Sequence, residues 1–513
     1  MIINLLIFWM KKLYSIFLLF AGLAASAQIH SVAPALAVSN LSNATSFESS
    51  VYAGVAQVNI TPPVGYSHYR GVSTGVHDSL YAKAIVFGRG DERFAMVVCD
   101  LLYVDIDLTK KARSLAFDKT GISYSNIMIA ATHNHTGPSY NSYIDELNRN
   151  LRPASYVAPK TGDDQDYPDW LAQRIAQAVI DANNGSMLVT IETGTKKVAG
   201  VAFNRRSVLK DGTVRMNAGV GNPDILGPAG PVDSTLGILL VRRASDNKPI
   251  ACVSNFGLHA DTFGGTEFSA DYPGFIANAL EEEFGQNFIS IFGNGPCGDI
   301  NHVNVKRGSK RPSTKEIGDK LAFAIKEEIP KLKKIKSPLF AARSEFVYVP
   351  LQQYSEKEIE WALSRNQKDS LFHENPYSFY HESAFLTIRR AVKIWHLYEM
   401  RRKGEAIPPT IGNDPWTLPL EVQVFRIGDD AVVVGLPGEV FTKLGMAIKK
   451  ASPFKTTLVI ECTNRLLPYV PTEQAYKEGG YEQINSRLVP GGGEMMVDTA
   501  IKLLNDVSTI KEN

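Results

Sequence analysis

From Val51 onward the chain alternates short, β-branched apolar runs with helix-length amphipathic stretches. "FAMVVCDLLYVD" is followed by "DLTKKARSLAFDKTG", and "IMIAATHNH" by "DWLAQRIAQAVIDANNG". In each pair the first member is a continuous apolar run and the second repeats its apolar positions at helical spacing, which predicts strand then helix. The alternation continues through "STLGILLVRR", "PIACVSNFGLHA", "DYPGFIANALEEEFG" and "NFISIFGNGPCGDI". Further on, "LEVQVFRIGDDAVVVGLPGEVFTKLGMAIKKA" predicts a hairpin turning at Gly428-Asp429-Asp430, then a helix. The expected fold class is therefore α/β, a layered sandwich of mixed β-sheets flanked by helices. Helical sequence between about 355 and 405, with Trp361, Trp395 and many charges, predicts an inserted cap. No Pro- or Gly-rich linker divides the body, so residues 51–513 are expected to form one domain.

The segment before Val51 follows a different pattern. A basic Met10-Lys11-Lys12, an apolar Ile16-Phe17-Leu18-Leu19-Phe20 and a small Ala25-Ser26-Ala27 before Gln28 predict a signal peptide over residues 1–27. Cleavage after Ala27 would leave a secreted or periplasmic protein with no stable membrane insertion. Residues 28–50, rich in Ser, Ala and Asn without a sustained period, are expected to be a flexible lead-in. Composition adds exclusions. The 54 Lys and Arg against 53 Asp and Glu give no bulk electrostatic reason to expect a nucleic acid as partner, so a small molecule is expected instead. Cys99, Cys252, Cys297 and Cys462 are too few for a disulfide scaffold in 513 residues, and no CxxC is present to bind a metal.

The chemistry-bearing residues gather at predicted strand ends. On a strand, positions i and i+2 share a face, so His133 and His135 at the end of "IMIAATHNH" are expected to converge on one pocket, as a metal or catalytic pair or as a hydrogen-bonded structural one. His259 ends a second apolar strand, and Glu439 follows the Pro437-Gly438 break where a helix opens. Both places suit ligand binding, because ligands in α/β sheets gather beyond the carboxyl ends of the strands. "FGNGPCGDINHVN" packs Gly293, Gly295 and Gly298 around polar side chains, and such backbone can approach a ligand closely or merely turn tightly.

With "GVAQVNITPPVG", "ATHNHTGP", "NRRS", "NFGLHA", "GNGPCGDIN", "LPGEVFT" and "PYVPTEQAYKEGGYE", the chain resembles the neutral, non-lysosomal ceramidase family, zinc amidases that split the N-acyl bond of ceramide. The likeness runs from about Val51 to about residue 500. It implies a Zn²⁺ held by His133, His259, Glu439 and Tyr469. It also implies His135 beside the metal as a substrate or proton contact, Tyr469 as a donor to the developing oxyanion, and Arg205 against the substrate's polar head. Asp299, Tyr476 and Tyr481 are further pocket positions on the same resemblance. The activity implied is hydrolysis of an amide by zinc-activated water on a lipid-like substrate.

The chain departs from the family pattern in two places. Asn301 stands where ceramidases carry a serine, and an asparagine cannot act as an acyl-transfer nucleophile, whereas a metal mechanism survives the change. No counterpart of the family's C-terminal β-sandwich precedes Asn513. Two alternatives therefore stay open: hydrolysis of an ester, lactone or carbohydrate-linked group on the same scaffold, and a non-catalytic binder.

Overall fold

The computed structural model describes residues 50–140, 167–368, 386–398 and 417–511, apart from positions 69, 91, 338, 388, 392 and 396. The expected signal peptide and nearly all of the lead-in lie outside the described residues. In chain order, β1 (Tyr52–Asn59), β2 (Tyr81–Arg89) and β3 (Glu92–Cys99) form an antiparallel meander. Helix α1 (Ile106–Thr120) then crosses to β4 (Ile127–Ala131), which lies parallel to β3. Asp105 caps α1 by accepting from the amides of Asp107 and Leu108, and Gly121 closes it in a left-handed conformation. Helix α2 (Tyr167–Asn184) leads to the antiparallel run β5 (Met187–Lys197), β6 (Thr235–Arg243) and β7 (Pro249–Phe256). Helix α3 (Asp271–Phe284) crosses to β8 (Ile289–Asn294), parallel to β7, and α4 (Thr314–Glu328) follows. With β9 (Lys333–Lys334) pairing to β5, these strands make one sheet in the order β8-β7-β6-β5-β1-β2-β3-β4.

The second sheet is built from the C-terminal part. It comprises β10 (Phe340–Pro350), β11 (Thr417–Ile427), β12 (Ala431–Gly435) and β13 (Thr456–Ile460), paired in that order with only the last pair parallel. The expected hairpin is β11–β12, and Gly428 takes the positive φ of 71° that its turn requires. Helix α5 (Glu356–Lys368) follows β10, α6 (Thr442–Ala451) lies between β12 and β13, and α7 (Glu473–Glu478), α8 (Tyr481–Asn485) and α9 (Gly492–Ser508) end the chain. The expected insertion is represented by α5 and by helical residues within 386–398, which share a small apolar core of Ala362, Ala391 and Ile394. Residues 369–385 and 399–416 lie outside the described residues.

Burial divides these elements into four layers. Phe87, Met96, Leu239 and Ile291 of the large sheet pack against Phe425, Val433 and Leu458 of the small one. The other face of the large sheet is covered at one end by α1 and α2 and at the other by α3 and α4. The outer face of the small sheet is covered by α6 and α9. Each fully buried Leu, Ile or Val in these interfaces contributes about 1.5–3 kcal/mol, enough to explain why nearly every strand position between the sheets is apolar. The large sheet also coils so that edge strand β8 comes against β4 from the opposite end, which brings the loops after β4, β7 and β8 together. Among the described residues no helix is long and apolar enough to cross a membrane.

Candidate metal centre

Strand β4 ends at Ala131, two residues before the first histidine, and His133 sits at φ 60°. Strand alternation is therefore not what brings His133 and His135 together. A left-handed residue turns the chain, and the turn is held by Asn134, whose amide group donates to Ser269 O at 2.6 Å while its oxygen accepts from Thr136 N at 2.9 Å. A bridge between Asn134 and Ala260 ties this loop to the one carrying His259, and His135 N donates to Ala260 O at 3.0 Å. The loop after β12 brings Glu439, which pairs in register with Tyr469 in a two-residue parallel bridge.

Four donor atoms converge there. His133 Nε2 lies 3.2 Å from His259 Nε2, 3.4 Å from His135 Nε2 and 3.4 Å from Glu439 Oε2, and His259 Nε2 is also 3.4 Å from Glu439 Oε2. The far side of each ring is already committed. His133 Nδ1 donates to Leu102 O at 3.1 Å and His259 Nδ1 to Cys297 O at 2.8 Å, which leaves the Nε2 lone pairs facing each other. Two lone pairs at such a distance repel unless a cation or proton lies between them. Glu439 Oε1 accepts from Tyr103 OH at 3.2 Å, while Oε2 is buried with no hydrogen bond, since 3.4 Å is long for one. A tetrahedral Zn²⁺ with ligands at about 2.0–2.1 Å spaces its donors by roughly 3.3–3.4 Å, so the residues present fit such an ion. Among the described residues, His133, His135 and His259 are the group of possible metal donors lying within 4.8 Å of one another.

The electrostatics favour a cation. Burial opposes ionisation of Glu439, yet the charge on His133 and the close approach of both imidazoles outweigh it and hold the carboxyl well below its usual range. Burial likewise pushes His133 down, but the Glu439 charge raises it above the ordinary histidine value. His259 is lowered to about 3 by burial and by the Arg205 charge, and His135 falls well below its usual value through burial and the two neighbouring imidazoles. Burial raises the thiols of Cys297 and Cys462 well above the usual range, and Cys297 donates its S–H to Glu461.

A second layer surrounds these donors. Arg205 Nη1 stands 3.1 Å from His259 Nε2, its Nε donates to the buried Glu482 at 2.8 Å, and its Nη2 is buried with no hydrogen-bond partner. Its guanidinium lies 5.3 Å from the ring of Tyr469, which in turn lies 5.6 Å from the ring of Tyr481. The structure thus brings together His133, His135, His259 and Glu439, with Arg205, Tyr469 and Tyr481 behind them. Of the expected ligands, Tyr469 is placed by its register with Glu439, and its buried phenol faces Arg205.

Three expected site residues are engaged elsewhere. Asn301 donates from its amide nitrogen to Asn217 Oδ1 at 2.7 Å and accepts from Val303 N at 2.9 Å, so both ends of the carboxamide hold loops rather than a substrate. Asp299 accepts from Thr442 N at 2.8 Å and Asn204 Nδ2 at 2.7 Å, which makes it a strut between the first turn of α6 and the segment before Arg205. Tyr476 OH bonds Ser486 Oγ and Leu488 O, both at 2.8 Å, and fastens α7 to the loop before α9. Conversely, Tyr103, Glu461 and Glu482 belong to the site although none was expected there; Glu482 closes the motif "PYVPTEQAYKEGGYE", while the other two lie outside the quoted motifs. Glu461 carries a signal of its own, a single acid closing the apolar run "LVIECTN".

A coiled mixed sheet, packed on a second sheet, with imidazoles and a carboxylate converging in the loops where its ends meet, defines a scaffold suited to a metal-assisted hydrolase. The sequence pattern described as "Neutral/alkaline non-lysosomal ceramidase, N-terminal" matches residues 52–316, and the chain belongs to that family. Among curated proteins, neutral ceramidase A of Dictyostelium discoideum is 23% identical over 287 residues, 52% of this chain. That stretch is 37% of the relative, so the chain spans well under two thirds of its length. Among solved structures, neutral ceramidase from Pseudomonas aeruginosa superimposes with a TM-score of 0.63 at 19% identity, over 90% of this chain and 76% of that one. A ceramidase complexed with C2 gives the same score and identity over 77% of its chain. These likenesses establish the fold as a mixed α/β sandwich shared with neutral ceramidases.

Proposed function

We propose that this protein is a zinc-dependent hydrolase that cleaves the N-acyl amide bond of a lipid-like substrate. The observation that supports it best is the convergence of the Nε2 atoms of His133 and His259 with Glu439 Oε2 at 3.2–3.4 Å, the far sides of both rings being locked by backbone carbonyls. His133, His259 and Glu439 would hold the ion, and Tyr469, in register with Glu439, would close the shell on the Arg205 side. When bound there, Zn²⁺ supplies polarisation of an acyl carbonyl and a water made acidic near neutral pH.

The rest is the work of the chain's own side chains. Tyr103 holds Glu439 Oε1 and so aims Oε2 into the cluster. Burial keeps His135 neutral with its Nε2 facing the same point, so it can receive a proton and, being a weak base there, give it up readily to a leaving amine. Arg205, pinned by Glu482, presents a buried N–H to an oxygen bearing negative charge. None of these roles uses a nucleophile at position 301.

The test is metal analysis of the purified protein, followed by a screen of N-acyl and O-acyl substrates with and without a chelator. About one zinc per chain and chelator-sensitive release of an amine from N-acyl substrates is the expected result. Turnover confined to esters or lactones would move the substrate class, and a metal-free protein with no turnover would leave a binder. We further propose export on the basic, apolar and small-residue pattern of residues 10–27, which N-terminal sequencing of the mature protein beginning at Gln28 would test.

A further inference from the structure

Three separate loops carry the donors, and one dipeptide is bonded to the backbone of the His133 and Glu439 segments and to Cys297, whose carbonyl supports His259. Glu461 follows directly on β13 and is fully buried. Its backbone N–H donates to Asn294 O at 2.9 Å, at the end of β8. Its Oε2 accepts from Cys297 N at 3.1 Å and from Val440 N at 2.7 Å, and its Oε1 accepts from the Cys297 thiol at 2.9 Å. Cys297 is the residue whose carbonyl receives His259 Nδ1, and Val440 is the residue after Glu439. One carboxylate oxygen thus clamps the backbone supporting a histidine to the backbone carrying the acid.

The neighbouring residue completes the arrangement. Cys462, at φ 57°, donates from its N–H to Gly438 O and accepts at its carbonyl from Ala131 N, both at 3.2 Å, and its sulfur lies 3.7 Å from His133 Nδ1. The clamped loops are in contact. A Cβ on Gly298 would come within 2.5 Å of Glu439 O, so only glycine allows this approach, and Gly298 N donates to Val440 O at 2.9 Å. Nothing else among the described side chains joins the Cys297 and Val440 amides through a single atom.

We propose that Glu461 is a positioning residue that sets the separation between His259 and Glu439, and with it the affinity of the centre for a divalent cation. The proposal rests on the metal-centre reading above. A carboxyl group is suited to this work because one of its oxygens can take two amide donors while the other meets the thiol. Partners of this kind, one step removed from the ligands, typically change metal affinity by about 10- to 100-fold when removed.

The experiment titrates Co²⁺ and Zn²⁺ into chelator-treated full-length protein, reading Kd by competition and the cobalt d–d spectrum, with the thermal midpoint of the metal-free form as control. Glu461→Ala is expected to weaken binding about 10- to 100-fold and to shift the cobalt bands, while the orphaned amides also lower the metal-free midpoint. Glu461→Gln keeps an oxygen for both amides and turns its NH₂ toward the sulfur, so it is expected to bind within about threefold of wild type. If Glu461→Ala does not fold, Glu461→Asp decides, since retracting the carboxylate by one methylene breaks the double contact and should weaken binding at least about tenfold. A wild-type protein that binds the ion, with both shortened variants matching its affinity and spectrum, would overturn this inference alone. A wild-type protein that binds neither ion would overturn it together with the metal-centre reading.

Discussion

His133 and His259 face each other through their Nε2 atoms at 3.2 Å, each ring held from behind by a backbone carbonyl. Neither ring can turn its N–H toward the other without abandoning a buried carbonyl, so the pair is preorganised for a shared electrophile. The first prediction separates the roles of the three histidines. His133→Ala or His259→Ala is expected to abolish stoichiometric zinc and with it all turnover. His135→Ala is expected to retain the ion, measured by elemental analysis, while kcat falls by about 10²- to 10⁴-fold, the range for losing a positioned proton carrier. Loss of zinc in His135→Ala would instead make it a ligand.

Asn301 gives a prediction of the opposite kind. Its carboxamide is engaged at both ends by Asn217 and Val303, so Asn301→Ser is expected to leave kcat/KM within a few-fold of wild type. Stability should fall by about 1 kcal/mol for the bond lost to Asn217, readable as a shift in the denaturant midpoint. A hundred-fold gain or loss of activity would show that position 301 takes part in the chemistry.

The buried pair of Arg205 and Glu482 makes a stability prediction. Removing the acid strips the guanidinium that faces His259 of its hydrogen-bonded carboxylate, and Arg206 of a second one, and such changes cost about 3–5 kcal/mol. Glu482→Ala is therefore expected to destabilise by that amount, and the double variant Arg205→Met with Glu482→Ala by clearly less. Equal loss in both, measured by chemical denaturation, would mean that the charge pair is not what the interior depends on.

Lys393 sets a pH dependence away from the site. It is buried among the inserted helices, donating to Gln352 Oε1 at 3.0 Å and Gln483 O at 3.4 Å, and burial together with the Arg487 and Arg390 charges lowers it to about 6. Between pH 6 and the ordinary lysine value of about 10.5, the unfolded chain holds a proton that the folded chain has released. Stability attributable to this group therefore rises with pH across that window, at up to about 1.4 kcal/mol per unit, and is flat below it. Lys393→Met is expected to remove that slope from denaturation curves recorded at several pH values. A slope unchanged in the variant would assign the pH dependence to other groups.

The sequence carried much of this. The strands, the β11–β12 hairpin and helices α1, α3 and α6 were legible because their apolar periods are local properties of the chain. The division of the strands into two sheets was not, because β13 pairs with β12 across a helix and β5 with β1 across most of the first layer, and no spacing records such partners. The place of His133, His259 and Glu439 at strand ends was readable. The cause of their convergence was not, since alternation along a strand predicts a shared face for His133 and His135 while the chain uses a left-handed turn. Asp299 and Tyr476 show the same limit from the other side. A motif marks a polar residue in a rich setting, but only the fold reveals that its oxygens already have partners.

The distances along the chain at the centre carry a consequence of their own. His133 and His259 are 126 residues apart, and Tyr103 reaches Glu439 across 336. No fragment released early from the ribosome contains the whole set, and an unfolded chain must meet the entropy of closing several long loops at once to gather it. On the proposed reading, ion capture would follow docking of the C-terminal sheet, and an added cation is expected to favour the finished molecule, raising its melting temperature as the logarithm of the free ion concentration rises.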